Sequence, residues 1–301
     1  VMLCGNLVHM AVAKHIDVLA AVRADDVAHV LHDAQNGDDR LLIVIQGLRG
    51  LELPEKYAEL FSAKGYSTLA LQYYGAEGQP SDMRAIPLEQ FQTAIDCLKA
   101  HDNGRFKRFG IYGNSKGAGM ALLAASVVPD LSLVIAASSF GHIMQGTGRE
   151  KDNPCKAMVS FHGADFPYVP AEHVFSDFLK RCFREHRIQT LYFFDEWDKK
   201  GTEENEIPVE NIKGDILFLT STHDESVPAK RDAELLTARL KRCGFAYHFR
   251  HVNSETGSHN LGYFPVNNKF LPREKHFPEE CQQAREETLA LILDTLSKWQ
   301  V

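Results

Sequence analysis

From residue 41 onward the chain alternates short, continuous apolar runs with longer segments whose apolar residues recur at helical spacing. Residues 41–45 read as a buried strand, and a glycine-containing turn leads into a helix over about 54–64. Residues 67–73 predict the next strand and 87–101 the next helix. Then come a strand at 108–112, an apolar, Ala-rich helix at 115–128 and a strand at 131–136. Strands that are apolar on both faces and separated by helices belong to a parallel sheet covered on both sides. The fold class is therefore α/β, with a mostly parallel central sheet.

The rhythm breaks between about residues 138 and 211, a stretch with Gly141, Gly146 and Gly148, helical character near 171–187 and a charged run at 195–200. This predicts an insertion over the sheet, a cap or lid, within a single domain spanning residues 1–301. The charged run reads as solvated surface. A strand at 216–220 restores the alternation, followed by a helix at 229–243, a last strand at 245–252 and a closing helix at 279–299. Nearer the start, residues 27–31 predict a strand before the turn Asn36-Gly37-Asp38.

A chain of 301 residues that is 44% hydrophobic and 24% charged has ample material for such a core. The net charge of -7 is spread along the sequence, which argues against nucleic acid, since that partner favours a concentrated basic stripe. Six cysteines lie far apart without a CxxC pair, so neither a disulfide framework nor a metal site is expected. Reduced thiols imply a cytoplasmic protein. No run of about twenty apolar residues predicts a membrane span. The expected partner is a small molecule, with no cofactor, and a homo-oligomer is left open.

The chemistry is concentrated at Gly113-Asn114-Ser115-Lys116-Gly117. A serine hydroxyl is a poor nucleophile until a base takes its proton and its oxygen is presented to substrate. A tight strand-turn-helix elbow provides that presentation, with glycines two residues either side allowing close packing. Here a strand precedes Ser115 and a helix starts at it. In such folds the acid and histidine follow in that order, from later strand ends. Asp224 is best placed after the strand at 216–220, with Glu225 as the fallback. His259, in the loop Glu255-Thr256-Gly257-Ser258-His259-Asn260, follows the last strand, whereas His248 and His251 lie within it as wall or surface residues. The backbone N–H of Lys116 supplies one oxyanion donor, and Leu48 or Gly47 the second. Arg49 faces either an anionic substrate group or solvent, and Asn114 is grouped with it as substrate-binding. His162-Gly163 looks like an oxyanion dipeptide but falls too late in the order.

The flanks of these residues resemble the C-terminal domain of the acyl-CoA thioesterase and bile acid-CoA:amino acid N-acyltransferase family, over about residues 41–265. The family's G-x-S-K-G elbow is matched at residues 113–117, and its I-P-V-E-x-I-x-G segment at residues 207–214. Its A-Y-Y-G is similar to Tyr73-Tyr74-Gly75. Its histidine loop with P-Y-F-P is similar to Gly257-Ser258-His259 and Tyr263-Phe264-Pro265. The resemblance implies an α/β-hydrolase that cleaves an acyl thioester with Ser115, Asp224 and His259. Serine, where the bile acid transferase has cysteine, leans toward water as acceptor. No counterpart of the family's N-terminal β-sandwich is expected in these 301 residues, the loop after His259 is shorter, and only Gly47 and Gly50 match a glycine-rich run. These departures keep a dienelactone hydrolase-like esterase open, beside an acyltransferase that passes the acyl group to an amine. A non-catalytic binder would be expected to lack a triad member, and all three types are present. Phe166, Tyr168, Phe175, Phe178, Phe193, Phe194 and Trp197 make the insertion aromatic, either to line an acyl pocket or to pack the insertion itself.

Overall fold

The computed structural model describes residues 15–16, 28–34, 38–47, 50–101, 104–147, 156–171, 173–186, 190–262 and 271–299. Eight strands form the main sheet: β1 (His15–Ile16), β2 (Ala28–His32), β3 (Arg40–Gln46), β4 (Ser67–Gln72), β6 (Arg108–Asn114), β7 (Leu131–Ala137), β10 (Asp215–Ser221) and β11 (Phe249–Ser254). Their order is β1-β2-β4-β3-β6-β7-β10-β11. From β4 to β11 every pairing is parallel, and β2 joins the edge antiparallel to β4.

The continuous apolar runs have a direct cause. Alternate residues of one strand face opposite cores. Leu41, Ile43 and Ile45 enter the larger cluster, which is filled by α2 (Glu89–His101), α3 (Lys116–Val127) and α6 (Ala229–Arg242). Leu42 and Val44 enter the other, closed by α1 (Glu52–Ala63) and α8 (Pro278–Lys298). Helix α3 is buried along residues 117–126, which explains why its sequence is apolar all round instead of striped. Gly119 in it sits so close to Phe140 that a Cβ would lie 2.2 Å from the ring.

Register brings the functional strand ends together. Gln46 of β3 lies level with Asn114 of β6, Asn114 with Ala137 of β7, and Leu219 of β10 with Ala137. The carboxyl ends of β6, β7, β10 and β11 thus open onto one edge, where parallel α/β sheets bind their ligands.

Between β7 and β10 the described residues add smaller elements. A small second sheet joins β5 (Ile86–Pro87), β8 (Val159–Phe161) and β9 (Ala164–Asp165), and two helices follow, α4 (Val174–Glu185) and α5 (Thr190–Asp198). Val169, Val174 and Trp197 form a small core of their own, with Met144, Ala171 and Phe193 packed against it. The return leg belongs to the main body instead: Ile207, Val209 and Ile212 are buried in the larger core. Gly214 follows because a Cβ there would meet the Ser132 carbonyl at 2.2 Å.

Three expectations need correcting. Ile86 and Pro87 pair with β8, so the helix expected from residue 87 begins at Glu89. The last strand starts at Phe249 rather than at residue 245. Gly244 takes φ +64° to end α6, and the Phe245 N–H donates to the Leu240 carbonyl, so His248 precedes the strand. The charged run at 195–200 is solvated only at its end, where Lys199 and Lys200 are exposed. Trp197 is buried, Asp195 accepts from Arg181 at 2.9 Å, and Asp198 pairs with Arg231 of α6 while facing His142. Alternating helical faces put the aromatic inward and the carboxylates against neighbouring cations. Among the described residues no helix is long and apolar enough to cross a membrane.

Candidate active site

Ser115 stands between β6 and α3 with φ 57° and ψ −128°, a region that L-residues rarely enter. Its N–H donates to Ala137 O at 2.8 Å and its carbonyl accepts from Ala118 N at 2.9 Å, so both neighbouring elements hold the turn. The flanking glycines are needed for contact. A Cβ on Gly113 would fall 2.2 Å from Gly117 O, and one on Gly117 would fall 2.8 Å from the Gln46 Cα. Crossing elements of this closeness leave no room for a side chain, and the serine is turned outward.

Ser115 Oγ lies 2.9 Å from His259 Nε2. His259 Nδ1 lies 2.9 Å from both carboxylate oxygens of Asp224. Asp224 is buried, and its Oδ1 also accepts the N–H groups of Ser226 and Val227 at 2.9 Å. A carboxylate fixed by two backbone donors orients the imidazole, so that Nδ1 carries the proton and Nε2 faces the serine. The structure therefore brings together Ser115, Asp224 and His259, three residues spread over 144 positions of chain. Glu225 is turned away: its carboxylate accepts the Arg273 N–H at 2.8 Å. His251 meets Thr220 Oγ1 at 2.7 Å, and His162 is exposed on the β8–β9 turn.

Gly47 follows β3 directly beside the elbow. A Cβ there would lie 2.8 Å from Lys116 Cβ and 2.9 Å from Lys116 N. The two backbones are thus in contact where an oxyanion would need its donors. Tyr74 Oη donates to the Gly47 carbonyl at 3.4 Å, which gives the Tyr-Tyr-Gly segment a place at this site. Leu48 and Arg49, expected as oxyanion and substrate residues, lie outside the described residues, as do Tyr263, Phe264 and Pro265. Asn114 is half-buried at the end of β6, with its amide 3.5 Å from Ala137 O. Gly47→Ala should push the Lys116 N–H aside and lower kcat about 100- to 1000-fold with little change in KM, the cost of losing one oxyanion donor. Steady-state kinetics on any ester the wild type turns over would measure it, and an unchanged kcat would refute it.

Several supports had no signal in the sequence. Ser138, with φ 55°, donates from Oγ to His259 O at 2.9 Å. Ser221 Oγ donates to Gly257 O at 2.7 Å, tying the histidine loop to the strand that carries the acid. Ser258 Oγ donates to Glu274 in α7 (Pro272–His276), and Glu274 forms a buried ion pair with Arg285 of α8 at 2.6 Å. The histidine loop is therefore held from three sides by ordinary residue types remote in sequence.

Beside the elbow lies a cavity of about 330 Å³, lined by Lys116 and by the insertion's Met144, Phe175, Phe178, Phe193, Phe194 and Trp197, with Met83 and Met158. Its wall is almost wholly apolar. Lys116 presents considerable surface, yet the protein around its ammonium strips away water and lowers its pKa below the ordinary lysine value. As for metals, His32, Glu55 and Glu59 offer ligand atoms within 4.8 Å of one another, but on β2 and α1, which carry no part of the serine site.

Similar proteins agree with this architecture. The family described as BAAT / acyl-CoA thioester hydrolase C terminal matches residues 86–274. Mouse acyl-coenzyme A thioesterase 1 is 30% identical over 192 residues, covering 64% of this chain and 42% of that protein. Mouse acyl-coenzyme A amino acid N-acyltransferase 2 is 28% identical over 203 residues, covering 67% and 44%. The chain thus spans about two fifths of the length of these curated relatives. Among solved structures, a protein named as a dienelactone hydrolase from Klebsiella pneumoniae superposes with a TM-score of 0.57 at 13% identity, over 96% of this chain and 99% of that one. The acylaminoacyl peptidase of Pyrococcus horikoshii gives 0.56 at 12% identity, over 96% and 42%. These two share the α/β-hydrolase fold, as does this chain. With a family match over more than half its length, the chain belongs to the BAAT / acyl-CoA thioester hydrolase C-terminal family.

Proposed function

We propose that this protein hydrolyses acyl thioesters of the acyl-CoA kind, or related carboxylic esters, through an acyl-enzyme on Ser115. The observation that carries the reading is the hydrogen-bonded line from Ser115 Oγ through His259 to the Asp224 carboxylate. In this mechanism His259 Nε2 takes the hydroxyl proton as Oγ attacks the carbonyl carbon, and Asp224 stabilises the resulting imidazolium. The developing oxyanion is received by the Lys116 N–H and a second N–H from the Gly47–Leu48 turn. Collapse expels the thiol, which leaves with the proton from His259. Water then attacks the acyl carbon as His259 takes its proton, and the second tetrahedral intermediate collapses with that proton returned to Ser115 Oγ, releasing the acid and the free serine.

The apolar cavity beside Lys116 is the acyl site in this reading, and residues 138–211 act as its lid. A volume of about 330 Å³ lies in the range of small-molecule sites, and the apolar lining favours an extended acyl chain. Turnover of acyl-CoA thioesters and p-nitrophenyl esters of graded length should rise with chain length while the chain gains apolar contact, and fall once it outgrows the cavity. A fluorophosphonate probe should label the wild type and leave Ser115→Ala unlabelled. Labelling that persists in Ser115→Ala would remove the proposed nucleophile. The relatives named N-acyltransferases favour a second acceptor, an amine. Added amino acid should leave the product as free acid if water is the acceptor, and divert it to amide if the second reading holds.

A further inference from the structure

We propose that helix α4 is a phospholipid-docking surface which seats the mouth of the acyl cavity on a membrane or micelle. The inference rests on the proposed acyl site for its purpose, but not for its test. Phe175, Leu179 and Phe183 recur every four residues along α4 and so form one stripe. They are 61%, 38% and 78% exposed and are three of the four large apolar side chains that are exposed among the described residues. The adjoining arc of the helix is satisfied inward, with Val174 and Cys182 buried. The stripe is therefore a second apolar face that stays exposed among the described residues.

Two observations indicate what covers it. Phe175 belongs to both surfaces: it is exposed on the stripe and it lines the cavity, so the apolar face runs without interruption into the cavity wall. Next to the stripe on its open side stand Lys180 and Arg184, both exposed. Their ion pairs with Asp177 and Glu185 are solvent-facing and therefore weak, leaving the cations free to exchange to another anion. An apolar stripe bordered by long cationic side chains is the arrangement by which a helix lies in a lipid interface, with aromatic groups in the acyl boundary and lysine and arginine reaching the phosphates. Acyl substrates with an apolar chain concentrate at such interfaces, and the stripe would bring the cavity to them.

The test is flotation of the whole protein with vesicles of phosphatidylcholine alone, and of phosphatidylcholine with about a third phosphatidylserine. Wild type should float with vesicles, and the double variant Leu179→Ser/Phe183→Asp should partition at least about tenfold more weakly, as expected for withdrawing two large apolar groups. The variant should keep the wild-type circular dichroism spectrum and turnover of a soluble short-chain ester, since neither residue lines the cavity. Lys180→Glu/Arg184→Glu should weaken flotation most on the phosphatidylserine vesicles. Ser115→Ala should float as wild type does, so a failure of the catalytic reading is distinguishable from a failure of this one. Wild type that stays unbound on both vesicle types, or a double variant that floats equally well, overturns the proposal. So does concentration-dependent dimerisation abolished by the double variant, which would assign the stripe to a second copy.

Discussion

Ser115→Ala is expected to lower kcat/KM by about 10⁴- to 10⁶-fold while leaving the fold intact, because nucleophile and base act as one unit. Stability should separate this loss from unfolding. The side chain of Ser115 contributes little packing, whereas its backbone at φ 57° and ψ −128° stores strain of about 1–3 kcal/mol. Alanine inherits that strain, so Ser115→Ala should melt close to wild type. Ser115→Gly relieves it at a cost of roughly 0.5–1 kcal/mol in unfolded-chain entropy. The glycine variant should be equally inactive yet more stable by about 1 kcal/mol, raising Tm by about 2 °C in a chain of this size. Calorimetry on the three proteins measures the order. If glycine were the least stable of the three, the elbow would not be strained, and its conformation would need another cause.

The second large effect is expected far from the serine. Glu274→Ala should destabilise the protein by about 3–5 kcal/mol, because it leaves Arg285 buried without its counter-charge. It also removes the acceptor of Ser258 Oγ, and Ser258 is next to His259. Activity of the molecules that remain folded should therefore fall. The double variant Glu274→Leu/Arg285→Met separates the two consequences. Replacing both charges with apolar groups should recover most of the stability, since a buried pair offsets its own desolvation poorly. The Ser258 hydroxyl would still lack its acceptor, so kcat should stay below wild type after stability is restored. Full recovery of both would mean that Glu274 serves the ion pair alone and does not position the histidine loop.

The elbow, and the strand ends after which Asp224 and His259 follow, were legible because each is written in local pattern. A strand before Ser115, a helix after it and glycines at 113 and 117 are properties of neighbouring residues. The sheet's register then carries Asp224 and His259 to the same edge. The choice between Asp224 and Glu225 was open to sequence only as position after a strand. It depends on direction: one carboxylate turns toward His259 and the other caps the Arg273 N–H.

The insertion was harder to read for a related reason. Its aromatic residues suit a pocket wall, a small core or an exposed face equally well, and composition does not distinguish them. Tertiary packing sends Trp197 inward, puts Phe193 and Phe194 on the cavity and leaves Phe183 outside. The charged run at 195–200 misled because helical periodicity within it hides an aromatic and aims its aspartates at Arg181 and Arg231.

The sequence by itself determined the alternation of strand and helix, the parallel sheet, the strand-turn-helix around Ser115 and the chain order of Ser115, Asp224 and His259. Those are set by apolar periodicity and by glycine's lack of a Cβ, both of which act over a few residues. Only the tertiary structure decided that Ser138, Ser221 and the Ser258–Glu274–Arg285 network hold the histidine loop. Hydrogen bonds between side chains and distant groups leave no periodic trace, because any serine or glutamate is chemically competent and only folding selects which ones meet.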